Sequence, residues 1–511
     1  MRYSLDQTKQ PFTKALEDYA KEHFVPFHTP GHKIGVGAPS LLQEWMGPAL
    51  PYDLGVMYAL DDLHEPEGVL KEAQELAANL YGADYTWFSI NGTTAAIQTM
   101  IMGTVGEGDK VIIPREAHRS VIGGLMLSGA KPVYLEGRFD ERWSVPLGTT
   151  PDEVRCVLTE HPEAKALVLT YPNYYGIAVH IKAIVDIAHE RGVIVLVDEA
   201  HGPHLPFGDR LPIEALAAGA DVVAQSTHKL TGSLTQTSML HVKGHRVDVR
   251  NITRVHQLLQ STSPNYIFLA SLDMARHQLA MEGHQLVTRA EVLAHKLRRQ
   301  LRYIPGIEVP DLADFEGAYD LDVTKVLIDF RGVGLTGVEA EKRLRQHKIE
   351  VELVQGYHVL VLITFGDTDK SITQLTEAVA NVAREALAVH AGLSPDDDDF
   401  FMEPLSDGEI NTSTNDTVND AARLPVPDVV LTPRQAFMAE KQVISLSEAE
   451  GRIAGETISY YPPGIPCVAM GERITKDVIA YFENRQANGY VPNGAADPTL
   501  QTITVIREER K

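Results

Sequence analysis

The sequence contains few cysteines and no long apolar run. Its two cysteines, Cys156 and Cys467, lie far apart and form no C-x-x-C pattern, which excludes a disulfide framework and a cysteine-based zinc site. No stretch approaches the about 18 uninterrupted apolar residues of a membrane-spanning helix, and residues 1–11 lack the apolar core of a secretory signal. We therefore expect a reducing, cytoplasmic compartment and no membrane partner.

Positive charge is also scarce in this chain of 511 residues. Lys and Arg number 46 against 69 Asp and Glu, which gives a formal net charge of −23. Nucleic-acid binding needs clustered basic residues that displace counterions, so this balance excludes nucleic acid as a partner. The apolar fraction of 44% is ordinary for a globular protein with a sizeable core.

Short apolar runs alternate with helical periods from about Asp62 to Ala280. Runs such as Val193–Val197 are almost continuously aliphatic, as expected for strands buried on both faces of a mostly parallel sheet. Ligands of such sheets bind beyond the carboxyl ends of the strands. Residues that directly follow these runs are therefore the candidate site residues.

The composition predicts several segments. They are an N-terminal arm (1–60), a large α/β domain (61–305), a smaller α+β domain (306–393), an acidic linker (394–428) and a C-terminal domain (429–511). The linker has Arg423 as its single basic residue, and we interpret it as a solvated spacer rather than an interaction tail. Beyond it, the sequence predicts a helix from Pro433 to about Ile444 and no helix in the segment Tyr460–Pro466.

An acid and a lysine follow two of the predicted strands. Asp198 ends the run Val193–Val197, and Lys229 follows the run Asp221–Ala224. A buried acid needs a cationic or hydrogen-bonding partner. A cofactor with an aldehyde for the lysine and a basic ring nitrogen for the acid satisfies both groups, which points to pyridoxal 5′-phosphate.

Other interpretations compete with this one. The letters D-E-A-H at 198–201 also occur in helicases, but those require a G-x-x-x-x-G-K-[ST] loop, which the sequence lacks. Asp198 and Lys229 could also form a structural ion pair. His201 and His204 could bind a metal, but Gly202-Pro203 prevents the helix that their spacing requires, so we expect no metal.

A candidate phosphate site accompanies the acid and the lysine. In the segment Ile90–Ala95 a strand passes through glycine into a helix that begins with two threonines, which offers backbone N–H groups and hydroxyls to a phosphate. Ser226 and His228, beside the lysine, could add contacts. His118 follows the strand Lys110–Pro114 and is suitably placed to stack on a flat ring.

With these motifs in order, the chain resembles the Orn/Lys/Arg decarboxylases of PLP fold type I, in the short form without an N-terminal receiver-like domain. The resemblance is carried by Phe27–Lys33, Asp61–His64, Asn91–Thr93, Asp198–Gly202, Ser226–Lys229, Gly232–Gln236, Ser261–Pro264 and Tyr461–Pro466. It covers nearly the whole chain except the linker and the residues after about Ala487. It implies an α/β fold with a mostly parallel, seven-stranded large domain, a smaller α+β domain and a C-terminal domain.

The resemblance also implies residue roles. Lys229 would hold the cofactor covalently, and Asp198 would keep its pyridinium nitrogen protonated. The remaining implied cofactor contacts are His118 and Ala200 on the two ring faces, His201 near the phenolic oxygen, and Gly92, Thr93, Thr94, Ser226 and His228 at the phosphate. Thr262 and Ser263 would reach the phosphate from a second subunit, which makes a homodimer the smallest active form.

Two positions depart from the family pattern. The family commonly has the sequence G-T-S, whereas this chain has Thr94 and Ala95 after Gly92-Thr93. Thr94 keeps a hydroxyl, and Ala95 offers none. The usual P-G-E of the C-terminal part reads Met470-Gly471-Glu472. Glu472 remains the candidate for binding the distal cation of the substrate.

The implied reaction is decarboxylation of a basic amino acid within polyamine biosynthesis. Arginine to agmatine comes first, ahead of lysine to cadaverine and ornithine to putrescine. Lys229, Asp198, His118 and His228 are the implied catalytic residues, with the Cα proton donor left open between His228 and Lys229. Two alternatives stay open. One is another fold type I enzyme, such as an aminotransferase, in which Arg331 or Arg343 would bind the α-carboxylate. The other is a regulatory homologue without cofactor.

Overall fold

The computed structural model describes residues 4–395, 403–405, 423–460 and 464–508. Most of the predicted acidic linker lies outside these residues, and so do Tyr461, Pro462 and Pro463 of the Tyr-Pro-Pro-Gly motif. Among the described residues, no helix combines the length and the apolar character needed to cross a membrane.

The helices are α1 Pro11–Lys21, α2 Ser40–Met46, α3 Val69–Tyr81, α4 Gly92–Met102, α5 Arg119–Ser128, α6 Pro151–Glu160, α7 Ile181–Glu190, α8 Ala215–Ala218, α9 Thr227–Leu230, α10 Val249–Leu259, α11 Tyr266–Leu301, α12 Gly337–Gln346, α13 Asp369–Ala391, α14 Pro433–Met438 and α15 Lys476–Ala487.

The strands are β1 Tyr85–Ser89, β2 Lys110–Pro114, β3 Lys131–Leu135, β4 Arg138–Asp140, β5 Val145–Gly148, β6 Ala166–Thr170, β7 Ile177–Ala178, β8 Ile194–Asp198, β9 Val222–Gln225, β10 Ser238–Val242, β11 Asp320–Leu321, β12 Lys325–Asp329, β13 Leu353–Gln355, β14 His358–Leu362, β15 Lys441–Ser445, β16 Ile458–Tyr460, β17 Ile465–Val468, β18 Pro492–Asn493 and β19 Thr502–Ile506.

A seven-stranded sheet with the order β1-β10-β9-β8-β6-β2-β3 forms the centre of the large unit. Strands β3, β2, β6, β8 and β9 pair in parallel, whereas β10 is antiparallel to both β9 and β1. The predicted α/β class with a mostly parallel sheet is therefore confirmed. The carboxyl ends of the parallel strands meet at one edge, where polar residues follow β2, β6, β8 and β9.

Burial on both faces explains why these strands are aliphatic throughout. Leu167 and Val195 pack in a core with helices α3, α7 and the first part of α11. Their neighbours Val168 and Leu196 pack on the other face with α4, α5 and α10. Since successive strand residues point to opposite faces, both faces must be apolar.

Helix α11 connects the central sheet to a smaller unit. The apolar periodicity of Gly283–Ile304 predicts a long amphipathic helix, but α11 begins 17 residues earlier, at Tyr266, where Asn265 caps it by accepting a bond from the Phe268 N–H. Its first half packs on the main core, and Leu293–Leu301 pack with α12, α13 and the sheet β12-β14-β13. The positions of the domain boundaries stay a prediction.

The predicted helix from Pro433 to Ile444 is wrong in its second half. Helix α14 ends at Met438, and Lys441–Ser445 form a strand that pairs with Thr502–Ile506. The distant partner strand supplies hydrogen bonds that a local pattern does not show, and the β-branched Val443 and Ile444 suit a strand. As predicted, the described part of Tyr460–Pro466 is not helical.

The N-terminal segment is attached to α11 through a buried ion pair. The Arg276 guanidinium donates to Asp273 Oδ1 at 2.7 Å and to the backbone oxygens of Gln7 and Lys9 at 2.9 and 2.5 Å. The second Asp273 oxygen accepts from the Thr13 N–H at 3.1 Å. Both side chains of the pair are fully buried.

We expect Arg276→Ala to lower the free energy of unfolding by about 3–5 kcal/mol, because it leaves the Asp273 carboxylate buried without its cation. Urea denaturation followed by circular dichroism measures the change. The matched control is Arg155→Ala, which breaks an exposed pair with Asp152 of the same spacing and the same 2.7 Å distance. It should cost at most about 1 kcal/mol, and equal losses in the two variants would contradict the prediction.

Candidate active site

A cavity of about 380 Å³ lies at the carboxyl ends of the parallel strands. Ten of the predicted site residues line it: Gly92, Thr93, Thr94, His118, Asp198, Ala200, His201, Ser226, His228 and Lys229. They follow four different strands, β1, β2, β8 and β9, so the sheet edge alone brings them together.

Asp198 is the last residue of β8, and its side chain lies inside the cavity wall. The residue is 4% exposed, and its Oδ1 accepts one hydrogen bond, from the Ala200 N–H at 3.1 Å. Burial raises its pKa to about 6, although the Lys229 charge partly opposes the shift. No ion pair joins Asp198 to Lys229 in the described part of the chain, so the alternative of a structural ion pair is not supported.

Lys229 lies in the short helix α9, directly after β9. Its Nζ is 2.9 Å from His201 Nε2 and 5.6 Å from the centre of the Tyr174 ring. Burial lowers the pKa of the amine, while the charges of Asp198 and Glu352 act in the opposite direction. A lysine with a lowered pKa is neutral more often and therefore more nucleophilic.

The start of α4 and the residue before α9 form the candidate phosphate site. Gly92 has a φ of +74°, which lets the chain turn from β1 into the helix. Thr93 Oγ1 contacts the hydroxyls of Ser226 and, at 3.0 Å, Ser238, whereas Thr94 is exposed. The first N–H groups of α4 have no partner inside the helix and suit an anion.

Two histidines of the cavity are held in fixed orientations. His118 caps α5, because its Nδ1 accepts from the Ser120 N–H at 3.2 Å, and burial lowers its pKa to about 4. Its ring is therefore neutral at physiological pH. His228 contacts the Thr237 carbonyl through Nδ1 at 2.7 Å, which leaves Nε2 available to a ligand.

His201 has an unpartnered atom. Its ring is buried 4.4 Å from the Tyr174 ring, and its Nδ1 has no hydrogen-bond partner among the described residues. Burial holds its pKa well below the usual range, and the positive charges of Lys229 and Lys325 contribute to this shift. Lys325 Nζ donates to the His201 carbonyl at 2.8 Å, so a cluster of the smaller unit positions this residue.

Three predicted residues do not line the cavity. Thr262 and Ser263 lie exposed between α10 and α11, and their predicted contact across a subunit interface stays a prediction. Glu472 is 1% exposed and accepts hydrogen bonds from the Tyr134 hydroxyl at 2.6 Å and the Ala469 N–H at 2.7 Å.

Glu472 lies outside the lining of this cavity and has partners of its own, and its contact with the substrate stays a prediction. Arg115 lies 4.0 Å from its second oxygen, so its carboxylate already faces a cation and two donors. Burial raises its pKa, and Arg115, Tyr134 and Ala469 act against that shift. These contacts make Glu472 a link between the C-terminal segment and the sheet, not a free group in this cavity.

Several cavity residues were missed by the sequence analysis. Asn173, Tyr174 and Tyr175 follow β6, and Glu116 follows β2 two residues before His118. The rule that ligands bind after strand ends would have found both groups. They were missed because no motif marks them.

The cavity fits pyridoxal 5′-phosphate chemically. A buried carboxylate with one hydrogen bond lacks a cation, a half-buried amine lacks a carboxylate partner, and the buried Nδ1 of His201 lacks a hydrogen-bond partner among the described residues. The pyridinium nitrogen, the aldehyde and the ring oxygen of the cofactor would supply one partner to each.

Two family descriptions match the sequence. "Orn/Lys/Arg decarboxylase, major domain" matches residues 10–371, and "Orn/Lys/Arg decarboxylase, C-terminal domain" matches residues 416–492. The sequence is 40% identical to proteins named arginine decarboxylase from Bacillus anthracis, over 511 residues, and from Bacillus subtilis, over 512 residues. Both alignments cover 99% of this chain and 99% of the relative.

Solved structures show the same fold. Lysine decarboxylase A from Pseudomonas aeruginosa has a TM-score of 0.82 at 23% identity, covering 97% of this chain and 80% of that one. The lysine decarboxylase of Francisella novicida has a TM-score of 0.80 at 22% identity, covering 98% and 81%. At this identity the likeness shows the fold alone.

The raised pKa of Asp198 predicts a pH-dependent stability of the cofactor-free protein. Its pKa of about 6, against an ordinary 3.8, means that the folded state binds the proton more tightly than the unfolded state. The stabilisation is complete below about pH 4 and is lost as pH rises through about 6. The stability of Asp198→Asn minus that of the wild type should therefore rise by about 2.5 kcal/mol between pH 4 and 7. Urea denaturation at several pH values measures it, and a constant difference would contradict the raised pKa.

Proposed function

This chain belongs to the Orn/Lys/Arg decarboxylase family, and we propose on that premise that it converts L-arginine to agmatine and CO2 with pyridoxal 5′-phosphate. The observation that carries the proposal is the single cavity that holds both Lys229 and Asp198. Identity to proteins named arginine decarboxylase along the full length favours arginine over lysine and ornithine.

Different cavity residues would contact different parts of the cofactor. Lys229 would bind its aldehyde carbon and Asp198 its ring nitrogen. The remaining cofactor contacts would be His118 and Ala200 at the ring faces, His201 at the ring oxygen, and Gly92, Thr93, Thr94, Ser226 and His228 at the phosphate. When bound, the cofactor supplies an electron sink for the electron pair left by the departing carboxylate.

The protein side chains would control protons around that reaction. The buried Asp198 carboxylate holds a proton at the ring nitrogen, since its charge needs a cation in this environment. The neutral His118 ring can lie against a flat ring without adding charge. His228 and Lys229, which both line the cavity, are the two candidates for returning a proton to Cα. Tyr174 and Tyr175 line the cavity and would restrict the access of water to a bound substrate.

The alternative of an aminotransferase finds no support in the cavity. Arg331 donates to the Arg142 carbonyl at 3.0 Å and lies 5.0 Å from the Tyr357 ring centre. Neither Arg331 nor Arg343 is among the residues that line the cavity. A substrate α-carboxylate without a fixed arginine is free to leave as CO2.

The proposed setting is polyamine biosynthesis in the cytoplasm. The two cysteines are unpaired, one exposed and one buried, which suits a reducing compartment. The product of arginine decarboxylation carries a primary amine and a guanidinium, and such doubly charged cations are starting compounds for polyamines.

We expect the purified holoenzyme to release CO2 from arginine faster than from lysine or ornithine. Lys229→Ala should abolish CO2 release and the visible absorption of the bound cofactor, because the covalent attachment is lost. Radiolabelled CO2 capture and absorption spectra measure both effects.

The matched control is Lys342→Ala, which removes an exposed lysine of α12 and should leave both readouts unchanged. A holoenzyme that releases no CO2 from the three amino acids would refute the proposed function. Faster turnover of lysine than of arginine would instead support decarboxylation and identify lysine as the preferred substrate.

A shared active site would place Thr262 and Ser263 of one subunit at the phosphate of the other. Their exposed loop is compatible with such a contact. We expect Lys229→Ala and the double variant Thr262→Ala/Ser263→Ala each to be inactive alone. Mixed dimers should regain activity, because one site per dimer then combines two intact parts. Subunit exchange with light scattering and CO2 assays tests this, and a mixture without recovered activity would contradict shared sites.

A further inference from the structure

A second, smaller cavity adjoins the cavity of Lys229. It measures about 130 Å³ and lies between the sheet, the smaller unit and the C-terminal segment. The residues that line both cavities are Glu116, Pro146, Tyr175 and Ile465. They form the boundary between the two spaces.

Glu116 is the charged residue of this boundary. It is 8% exposed, and its carboxylate accepts no hydrogen bond from another residue in the described part of the chain. Two other buried carboxylates do have partners: Glu199 accepts from Ala215 and Gln225, and Glu472 accepts from Ala469 and Tyr134. A buried and unpaired carboxylate is costly, so a ligand with donors or positive charge is the expected partner.

The electrostatics around Glu116 agree with this expectation. Burial raises its pKa to about 7, and the neighbouring Glu153 charge adds to the shift while Arg115 opposes it. Arg115 is itself committed to the carbonyl oxygens of Pro425, Pro466 and Cys467. A cation that enters the cavity therefore meets a carboxylate without a competing partner.

Two glycines lie beside the carboxylate. Gly137 and Gly148 have φ values of +71° and +76°, which disfavour any other residue. A Cβ at Gly137 would lie 3.6 Å from Glu116 Oε2, and one at Gly148 would lie 3.9 Å from Oε1. Backbone without side chains thus flanks both oxygens.

A second feature of the smaller cavity that could attract cations is already occupied. Tyr460, Tyr481 and Tyr490 surround the guanidinium of Arg485, with ring centres 5.8, 5.1 and 4.6 Å from its carbon. These rings bind a guanidinium of the chain itself, so they are not free for a ligand. Glu116 remains as the acidic group at the boundary that faces the Lys229 cavity.

We propose that Glu116 binds the distal cationic group of the substrate, the guanidinium of arginine, and thereby selects basic amino acids. The inference rests on the proposed function and deepens it. It assigns to Glu116 the role that the sequence pattern suggested for Glu472. A carboxylate can accept two parallel N–H bonds from a guanidinium, which favours arginine over an ammonium group.

The test compares variants of the holoenzyme on arginine and on its neutral analogue citrulline. We expect Glu116→Gln to lower kcat/KM for arginine about 100-fold, mostly through KM, because a buried charge pair is lost. It should narrow the preference for arginine over citrulline by a similar factor. Calorimetry with agmatine should show the same loss of affinity. Glu116→Asp, which keeps the charge, should retain part of the preference for arginine and part of the affinity for agmatine.

Two further variants serve as controls. Glu136→Gln makes the same chemical change at an exposed acid that lines the second cavity alone, and it should leave the arginine preference unchanged. Glu472→Gln tests the rival assignment. Equal thermal midpoints and cofactor spectra would show that the variants fold and bind cofactor.

The outcomes separate this proposal from the proposed function. If Glu116→Gln keeps the wild-type preference and agmatine affinity, the inference is overturned, and a loss confined to Glu472→Gln gives the role to that residue. If the wild-type holoenzyme decarboxylates none of the basic amino acids, the proposed function itself fails.

Discussion

The buried carboxylate of Asp198 is the constraint on which the site depends. It ends a strand that is enclosed on both faces, so water does not solvate its charge, and a single N–H bonds to it. Folding alone leaves this charge uncompensated, as its raised pKa shows. A ligand that brings a positive charge to this position recovers electrostatic free energy that was lost when folding buried the carboxylate. The proposed cationic ring nitrogen would supply that charge at the sheet edge.

A cluster behind the cavity links the smaller unit to that edge. Lys325, the first residue of β12, bonds to the Asp322 carboxylate and to the carbonyl of His201. His204 Nε2 lies 2.9 Å from the same carboxylate. Although burial acts against it, the Lys325 charge holds the pKa of Asp322 below its usual range. The cluster is buried and charged, so moving the smaller unit would expose or separate charges, and the position of His201 depends on it.

The sequence predicted much of the fold and ten residues of the cavity because both follow local rules. Doubly buried strands must be aliphatic, and polar residues that follow them must share one edge. The prediction failed where distant segments decide the structure. Strand β15 depends on β19, about 60 residues later, and the start of α11 depends on packing against the sheet. Glu472 lies beside Arg115 because the C-terminal segment packs there, which no spacing in the sequence indicates.

The two buried carboxylates of the cavity differ in how they were found, and the difference is physical. Asp198 lies in a motif, since a cofactor of fixed shape needs an acid at a fixed distance from a lysine. Glu116 has no motif, since a flexible substrate chain can reach an acid on any of several strand ends. What identifies Glu116 is its environment: a buried carboxylate between two cavities that accepts no hydrogen bond from another described residue. The proposed substrate group is therefore visible in packing and charge, while the proposed cofactor groups are visible in the sequence.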